Sequence, residues 1–337
     1  MNYKVALIAN PYSFRFNFFK RNFYKIYKNL SKIGKVEYFE SEEKKSRITF
    51  VKNLIDKEGF NIIVAAGGDG FINEIANGVI KSSRYKEVKI GFIPTGISNV
   101  FALEANIPRN MVKASQIISS FNENPIKIDV GVLNGRIFLL MASAGIDALG
   151  VHKFNPKLKK FMSKFGYIYA AVKNFSEKTH YPIKVIIETK NGKKLKIMAT
   201  TIIITNASFY GGRMKSVKSA NWFDGYLDAC IFTKAELVDY LRYVSGFIIG
   251  IHDRFPDVVF VKTKKVELLG ENVPIQIDGE PYGKVPATVS IKEKTLNIIA
   301  PSFKPKFLKE VIKTIFDHTF AVMSEKIVQT IFLKKRS

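Results

Sequence analysis

Three short stretches of this sequence have the residue types and spacing to hold phosphate. The first is Ala65-Ala-Gly-Gly-Asp-Gly-Phe-Ile-Asn-Glu-Ile75. A continuous apolar run, Asn61–Ala66, leads into Gly67, Gly68, Asp69 and Gly70, and a helical pattern begins at once. Glycine lets the backbone turn sharply and approach a ligand closely. The first N–H groups of the helix then face whatever lies there, an arrangement that suits an anion. A plain strand-to-helix turn could use Gly-Gly, but four such residues in a row at a strand's carboxyl end favour a ligand site. The second stretch, Val88-Lys-Ile-Gly-Phe-Ile-Pro-Thr-Gly-Ile-Ser-Asn99, places Thr95 and Gly96 at the end of another strand, before a helix that Ser98 or Asn99 could cap. The third is Asn10-Pro11, which closes the strand Lys4–Ala9. Open α/β sheets bind ligands outside the carboxyl ends of their strands, where all three stretches would lie.

The elements needed to position these residues are legible around them. Phe16, Phe19, Phe23, Ile26, Tyr27 and Leu30 predict a helix over about 16–33. Phe71, Ile72, Ile75, Ala76, Val79 and Ile80 share one face of another helix, and Val88–Ile93 reads as a strand buried on both sides. Such alternation implies a doubly wound α/β domain, assigned to residues 1–128. From about Asp129 the signals become mostly strands, including a hairpin of Pro182–Thr189 and Leu195–Thr205 around Asn191-Gly192. Further strands are expected at Tyr226–Phe232, Val258–Leu269, Val273–Asp278, Ala287–Lys292 and Thr295–Ile299. Thr233 and Glu236 suggest a capping box before one helix carrying Leu237, Tyr240, Leu241, Val244 and Phe247. This half, 129–300, is expected to be a sandwich-like, mostly β substrate domain. A helical tail, 301–337, is expected to pack on the first domain.

Composition narrows the partners. The 337 residues carry 53 Lys+Arg against 29 Asp+Glu, a formal charge of +24, which favours anionic partners. Cys230 is the only cysteine, so neither an intrachain disulfide nor a thiolate zinc site can form, consistent with a reducing cytoplasm. No run approaches the roughly 18 apolar residues of a membrane span. The histidines, His152, His180, His252 and His318, show no ligand spacing.

More motifs follow in order: Asn73-Glu74 and Phe101-Ala102 behind the two loops, then Asp129-Val-Gly131, Gly145-Ile-Asp-Ala148, Asn206, Gly211-Gly212, Asp224-Gly225 with Leu227-Asp228, and Asp278-Gly-Glu280. The series over about residues 4–300 resembles the soluble diacylglycerol kinase and sphingosine kinase type of lipid kinase, in the NAD kinase-like superfamily. The resemblance implies a Rossmann-like nucleotide domain and a β domain, with ATP in the cleft between them. It implies nucleotide contacts from Asn10, Pro11, Gly67, Gly68, Asp69, Gly70, Asn73, Glu74, Thr95 and Gly96. Glu280 would be the general base, with Asp69 and Asp129 lining the same cleft. A structural magnesium ion would be held by Asp224, Asn221 and the carbonyl of Tyr226. The implied reaction is transfer of the ATP γ-phosphate to a hydroxyl of diacylglycerol or a related lipid, with an NAD kinase or a catalytically degenerate lipid- or nucleotide-binding protein as alternatives. Locally, Asp278-Gly279 also reads as a hairpin turn.

Three positions depart from the family pattern. Phe71 and Ile97 stand where threonine is usual, and Phe14 where glycine is usual. Each missing hydroxyl could cost about 1–3 kcal/mol if it bonded a charged group. Two basic clusters are mixed with aromatics, one from Arg15 to Lys35 and one from Lys153 to Lys164. They suit an anionic membrane surface, so the expected protein is cytoplasmic and peripherally membrane-associated. No nucleic-acid partner is expected, and the sequence leaves a homodimer open.

Overall fold

The computed structural model describes residues 3–41, 44–121, 123–153, 182–212 and 214–301. The expected tail helix and the basic cluster beyond Lys153 lie outside them. Met1–Pro301 forms one compact unit.

Its first part is a four-stranded parallel layer in the order β2-β1-β3-β4, with β1 at Tyr3–Ala9, β2 at Gly34–Glu40, β3 at Ile62–Gly67 and β4 at Lys89–Pro94. Successive side chains of a strand point to opposite faces, so both faces of these apolar strands are covered. Val5, Leu7 and Val64 pack with Phe19, Ile26 and Leu30 of α1 (Phe16–Leu30) and with Met111 and Ile118 of α5 (Met111–Ser119). On the other face, Ala6, Ile8 and Ile63 pack with α2 (Lys44–Asp56) and α3 (Asp69–Ile80). β2, α2 and α5 were not among the expected elements. A short α4 (Val100–Glu104) follows β4.

The second part is an antiparallel sheet system. β5 (Ile126–Leu133) pairs with β6 (Arg136–Phe138). The path β16-β15-β7-β10-β13-β14 runs through β7 (Met141–Gly145), β10 (Thr201–Thr205), β13 (Leu227–Phe232), β14 (Val258–Leu269), β15 (Pro274–Ile277) and β16 (Glu280–Lys284). A hairpin of β8 (Ile183–Thr189) and β9 (Lys194–Ala199) joins through β14, and β11 (Phe209–Tyr210) pairs with β12 (Met214–Lys215) in a small ladder of its own. Their inner side chains form a separate apolar core with Phe138, Ile202, Leu227 and Val289. Two expectations change here. Leu195–Thr205 is two strands with different partners, β9 on β8 and β10 on β7 and β13. The two strands expected after Ala287 are one, β17 (Ala287–Ile298), with a register shift between Lys292 and Leu296. β17 pairs antiparallel with β14 and β5 and parallel with the start of β4, so a single strand runs through both regions.

Two helices accompany this part, α6 (Ile146–Lys153), which was not expected, and α7 (Leu237–Ile249). The capping box before α7 is absent. Glu236 occupies the cap position without a side-chain bond, and Thr233 Oγ1 donates instead to the Asp257 carbonyl. Among the described residues, no helix is long and apolar enough to cross a membrane.

Candidate active site

The carboxyl ends of β1, β3 and β4 are tied together by main-chain bonds. Asn10 N–H donates to the Ala66 carbonyl, and Thr95 and Gly96 N–H both donate to the Gly67 carbonyl. Asn10 Oδ1 accepts from Tyr12 N–H across Pro11, and Thr95 Oγ1 donates to Ser13 Oγ at 2.8 Å. The side chains of Asn10 and Thr95 thus shape these loops. Gly68 is the cap of α3, so the first N–H groups of that helix and its positive dipole end open at this edge. A Cβ on Gly96 would lie 2.6 Å from Gly68 Cα, so the loops touch through their backbones.

Asp69 has a positional role that the sequence did not indicate. Its Oδ1 accepts from Phe101 N–H at 2.9 Å and caps α4 from the neighbouring loop. Asn99, one of the two expected caps, occupies the cap position but makes no such bond. Its side chain closes on Gly96, accepting from that residue's N–H and donating to its carbonyl.

Phe71 does not stand in the groove. Its ring is 4% exposed, packs against Gly67 and lies 4.7 Å from the Arg47 guanidinium. Arg47 is itself buried, bonded to Glu74 and to Ser41. Glu74 therefore anchors α3 to α2. Ile97 and Phe14, the other two departures, are exposed at the rim.

Asp278 and Gly279 form the turn between β15 and β16, both at positive φ. The Asp278 carboxylate accepts from the N–H groups of Leu139, Leu140 and Met141, each at 2.9 Å, and from Asn73 Nδ2 at 2.8 Å. Asn73 Nδ2 also donates to the Ile137 carbonyl, so α3, β6 and the turn are locked as one piece. This lock carries Glu280 onto the glycine loop. A Cβ built on Gly70 would lie 3.0 Å from Glu280 Oε1.

Burial pushes the Asp278 carboxyl up to about 6, against the downward pull of its four donors. As the pH falls through about 6, the added proton conflicts with those donors and the turn loosens around Glu280. Turnover is expected to show an acid limb near pH 6. The sign for stability is opposite. The native state binds this proton before the unfolded chain does, so this group's contribution to stability grows as the pH drops from 6 towards 4. Activity and melting temperature measured together between pH 5 and about 7 would separate the two, because a limb caused by unfolding would lower both.

Behind the turn lies a polar cluster assembled from four segments. Gln276 Oε1 accepts from Gly279 N–H at 2.8 Å, and Gln276 Nε2 donates to Ser143 Oγ at 2.9 Å and to Asp147 Oδ2 at 3.3 Å. Tyr210 and Ser143 both donate to Asp147. Asp147 and Tyr210 also line a mostly apolar cavity of about 110 Å³ beneath α7, with Thr201, Ile203, Phe232, Tyr243 and Phe247. The sequence assigned no role to Gln276, Ser143, Asp147 or Tyr210. The one local signal was the Gly145-Ile-Asp-Ala148 stretch.

Asp129 is placed differently from the expectation. It is 1% exposed and so lines no open cleft. Its oxygens accept from Gly225 N–H at 2.8 Å and Lys294 N–H at 2.7 Å, joining it to the Asp224-Gly225 turn, and burial raises its carboxyl above the usual range. At that turn Asp224 Oδ1 accepts from Tyr226 N–H, and Asp224 Oδ2 binds Lys262 Nζ at 2.6 Å. Asn221 Oδ1 is used locally by Phe223 N–H. Among the described residues, no three His, Cys, Asp or Glu side chains converge as a metal site.

Comparison with known proteins fits this geometry. Residues 4–133 match the family described as the diacylglycerol kinase catalytic domain, and residues 141–300 match the YegS C-terminal NAD kinase beta sandwich-like domain. A diacylglycerol kinase of Staphylococcus carnosus is 26% identical over 302 residues, covering 89% of this chain and 96% of that protein. One from Staphylococcus aureus strain JH9 is 25% identical over 303 residues, covering 90% and 94%. The crystal structure of a diacylglycerol kinase from Bacillus anthracis superposes with a TM-score of 0.70 at 21% identity, covering 89% of this chain and 97% of that one, and shares the fold. With a diacylglycerol kinase catalytic domain and a YegS-type C-terminal domain matched in order, and similarity to diacylglycerol kinases over about nine-tenths of its length, this chain is a kinase-type phosphotransferase.

Proposed function

We propose that the protein is an ATP- and magnesium-dependent lipid kinase that phosphorylates a hydroxyl of diacylglycerol or a closely related lipid. The observation that carries this reading is the contact of Glu280 with Gly70. A carboxylate beside Gly70 suits an acceptor hydroxyl that meets a nucleotide held at the start of α3. The hydroxyl gives its proton to a Glu280 oxygen as its own oxygen bonds to the γ-phosphorus. The bond from phosphorus to the β,γ-bridging oxygen breaks, and that oxygen leaves on ADP. The N–H groups at the start of α3 would bind the phosphates, beside a Thr95-Gly96 loop whose own amides hold the Gly67 carbonyl. Magnesium, when bound with the nucleotide, neutralises charge on the phosphoryl group.

The apolar cavity supports a lipid acceptor over NAD. Its wall, Ile203, Phe232, Tyr243 and Phe247, suits an acyl chain, and Gln276 links its polar corner to the Glu280 turn. Labelled ATP offered with diacylglycerol and with NAD in parallel tests the reading. Label is expected in the lipid, and label only in NAD would overturn it.

Asp224 and the main-chain carbonyls of Asn221 and Tyr226 are hard oxygen donors and fit a magnesium ion that keeps several waters. The Lys262 ammonium on Asp224 shows that this carboxylate already recruits a cation. Replacing Lys262 with Met is expected to increase the rise in melting temperature that magnesium produces. Saturation at 100 times Kd corresponds to about 2.7 kcal/mol. Equal magnesium responses in both proteins would remove Asp224 as a ligand.

A further inference from the structure

A second cavity, of about 380 Å³, is walled by the loop of residues 216–219, β13, β14 and the turn at His252–Arg254, and the catalytic geometry does not use it. Its volume falls in the range of small-molecule sites, about 300–1,000 Å³. Among the described residues, five buried side-chain nitrogen or oxygen atoms have no hydrogen-bond partner. Three of them, Ser216 Oγ, Asp228 Oδ2 and His252 Nδ1, belong to residues that line this cavity. Buried polar atoms are nearly always paired, so three orphans around one cavity mark a place where a partner belongs.

Their chemistry selects that partner. His252 Nε2 lies 2.8 Å from the Ser216 carbonyl, which can only accept, so Nε2 carries the proton and Nδ1 presents a bare lone pair. Asp228 Oδ2 is also an acceptor, and Ser219 Oγ donates only to the other oxygen of that carboxylate, at 3.4 Å. The Ser216 hydroxyl accepts as readily as it donates. Three acceptors around one cavity match a group with three N–H donors.

Charge points the same way. Lys218 pairs with Asp253 at 2.7 Å. Lys262 is shared, 2.6 Å from Asp224 and 3.5 Å from Asp228. Three carboxylates are thus served by two ammonium groups, and Asp228 has the weaker share. The Phe260 ring, 5.9 Å from the His252 ring, adds an aromatic face that suits a cation. Among the described residues no three His, Cys, Asp or Glu side chains converge, which disfavours a transition metal.

We propose that this cavity binds a small primary alkylammonium ion, its three N–H groups donating to Asp228 Oδ2, His252 Nδ1 and Ser216 Oγ. Ser216 and His252 are buried while Lys218 and Asp253 are exposed, so the Lys218–Asp253 pair stands at the outer end. An exposed ion pair is weak, and its opening gives the ligand a way in. The inference stands whether or not the lipid-kinase reading does.

Saturation-transfer NMR with the full chain tests the site without turnover. Ethylammonium, observed through its methyl protons, is expected to bind. Propan-1-ol lacks the charge and tetramethylammonium lacks the N–H donors, and neither is expected to bind. The chain's charge of +24 disfavours adventitious ammonium binding elsewhere. Asp228→Asn keeps the shape of the side chain and is expected to weaken ethylammonium binding by about tenfold. Ser216→Ala, a milder change, is expected to weaken it by about threefold. Unchanged melting temperatures would confirm that both variants are folded. No transfer to ethylammonium, equal transfer to propan-1-ol or tetramethylammonium, unaltered affinity in both variants, or displacement of ethylammonium by zinc would each overturn the assignment.

Discussion

Replacing Glu280 with Gln is expected to lower γ-phosphate transfer to a lipid by about 10²–10⁴-fold, the usual range for a positioned general base. Gln keeps the size of the side chain and its packing against Gly70, but it has no carboxylate to receive the hydroxyl proton. Glu280 is half-buried where β16 leaves the turn, and the Asp278 carboxylate, which the substitution leaves in place, accepts four bonds that fix that turn. The variant should therefore melt close to the wild type and still be stabilised by ATP. Residual transfer would reflect positioning and phosphate charge neutralisation, which supply most of the rate enhancement in phosphoryl transfer. Steady-state turnover with labelled ATP, together with melting curves with and without nucleotide, checks each part. Wild-type turnover would take Glu280 out of the mechanism. Loss of the nucleotide-dependent shift would instead make it a binding group.

The strand ends that build this site were legible because buried parallel strands are nearly continuous apolar runs. Val5–Ala9, Ile62–Ala66 and Ile90–Ile93 could hardly be anything else. β2 was hidden because it is an edge strand whose residues are mostly half-buried, which leaves Lys35, Glu37 and Glu40 among its apolar positions. Thr200 separates β9 from β10 without any local break in β propensity, since the break arises from a change of partner. Conversely, Glu293 and Lys294 suggested a turn, and Lys294 does adopt positive φ, yet pairing with β5 resumes at Leu296. The inward direction of Phe71 followed from periodicity. It shares a helix face with Ile72, Ile75 and Val79, all buried, and family comparison alone would have put it among the phosphates. Ser143 and Asp147 are near neighbours in the chain, but the cluster they form with Tyr210 and Gln276 could not be read, because Tyr210 lies 63 residues from Asp147 and Gln276 lies 133 from Ser143. Asp278 shows the limit from the other side. Its turn-forming chemistry and its part in holding the site are one geometry, so the local reading was right and incomplete.

Gly96→Ala is the second change with a large expected effect, and its near neighbour Gly68→Ala supplies the contrast. The added Cβ at position 96 would meet Gly68 Cα at 2.6 Å and Asn99 Oδ1 at 2.8 Å. Backbone cannot yield as a flexible side chain can, so the two loops must separate. Overpacking of this kind costs about 1–3 kcal/mol. It also breaks the bonds through which Asn99 closes on Gly96, and it moves the loop amides away from the start of α3. At position 68 the added Cβ would lie 3.4 Å from Gly96 Cα, an ordinary contact, and φ is −100°, which alanine adopts freely. The two substitutions are chemically identical and fall on facing residues, so their difference isolates the spacing of the loops. ATP-dependent stabilisation is expected to vanish in Gly96→Ala, with the KM for ATP raised tenfold or more, as each 1.4 kcal/mol lost is about tenfold. Gly68→Ala should retain the stabilisation. Equal behaviour of the two variants would mean that contact between these backbones does not set the nucleotide site.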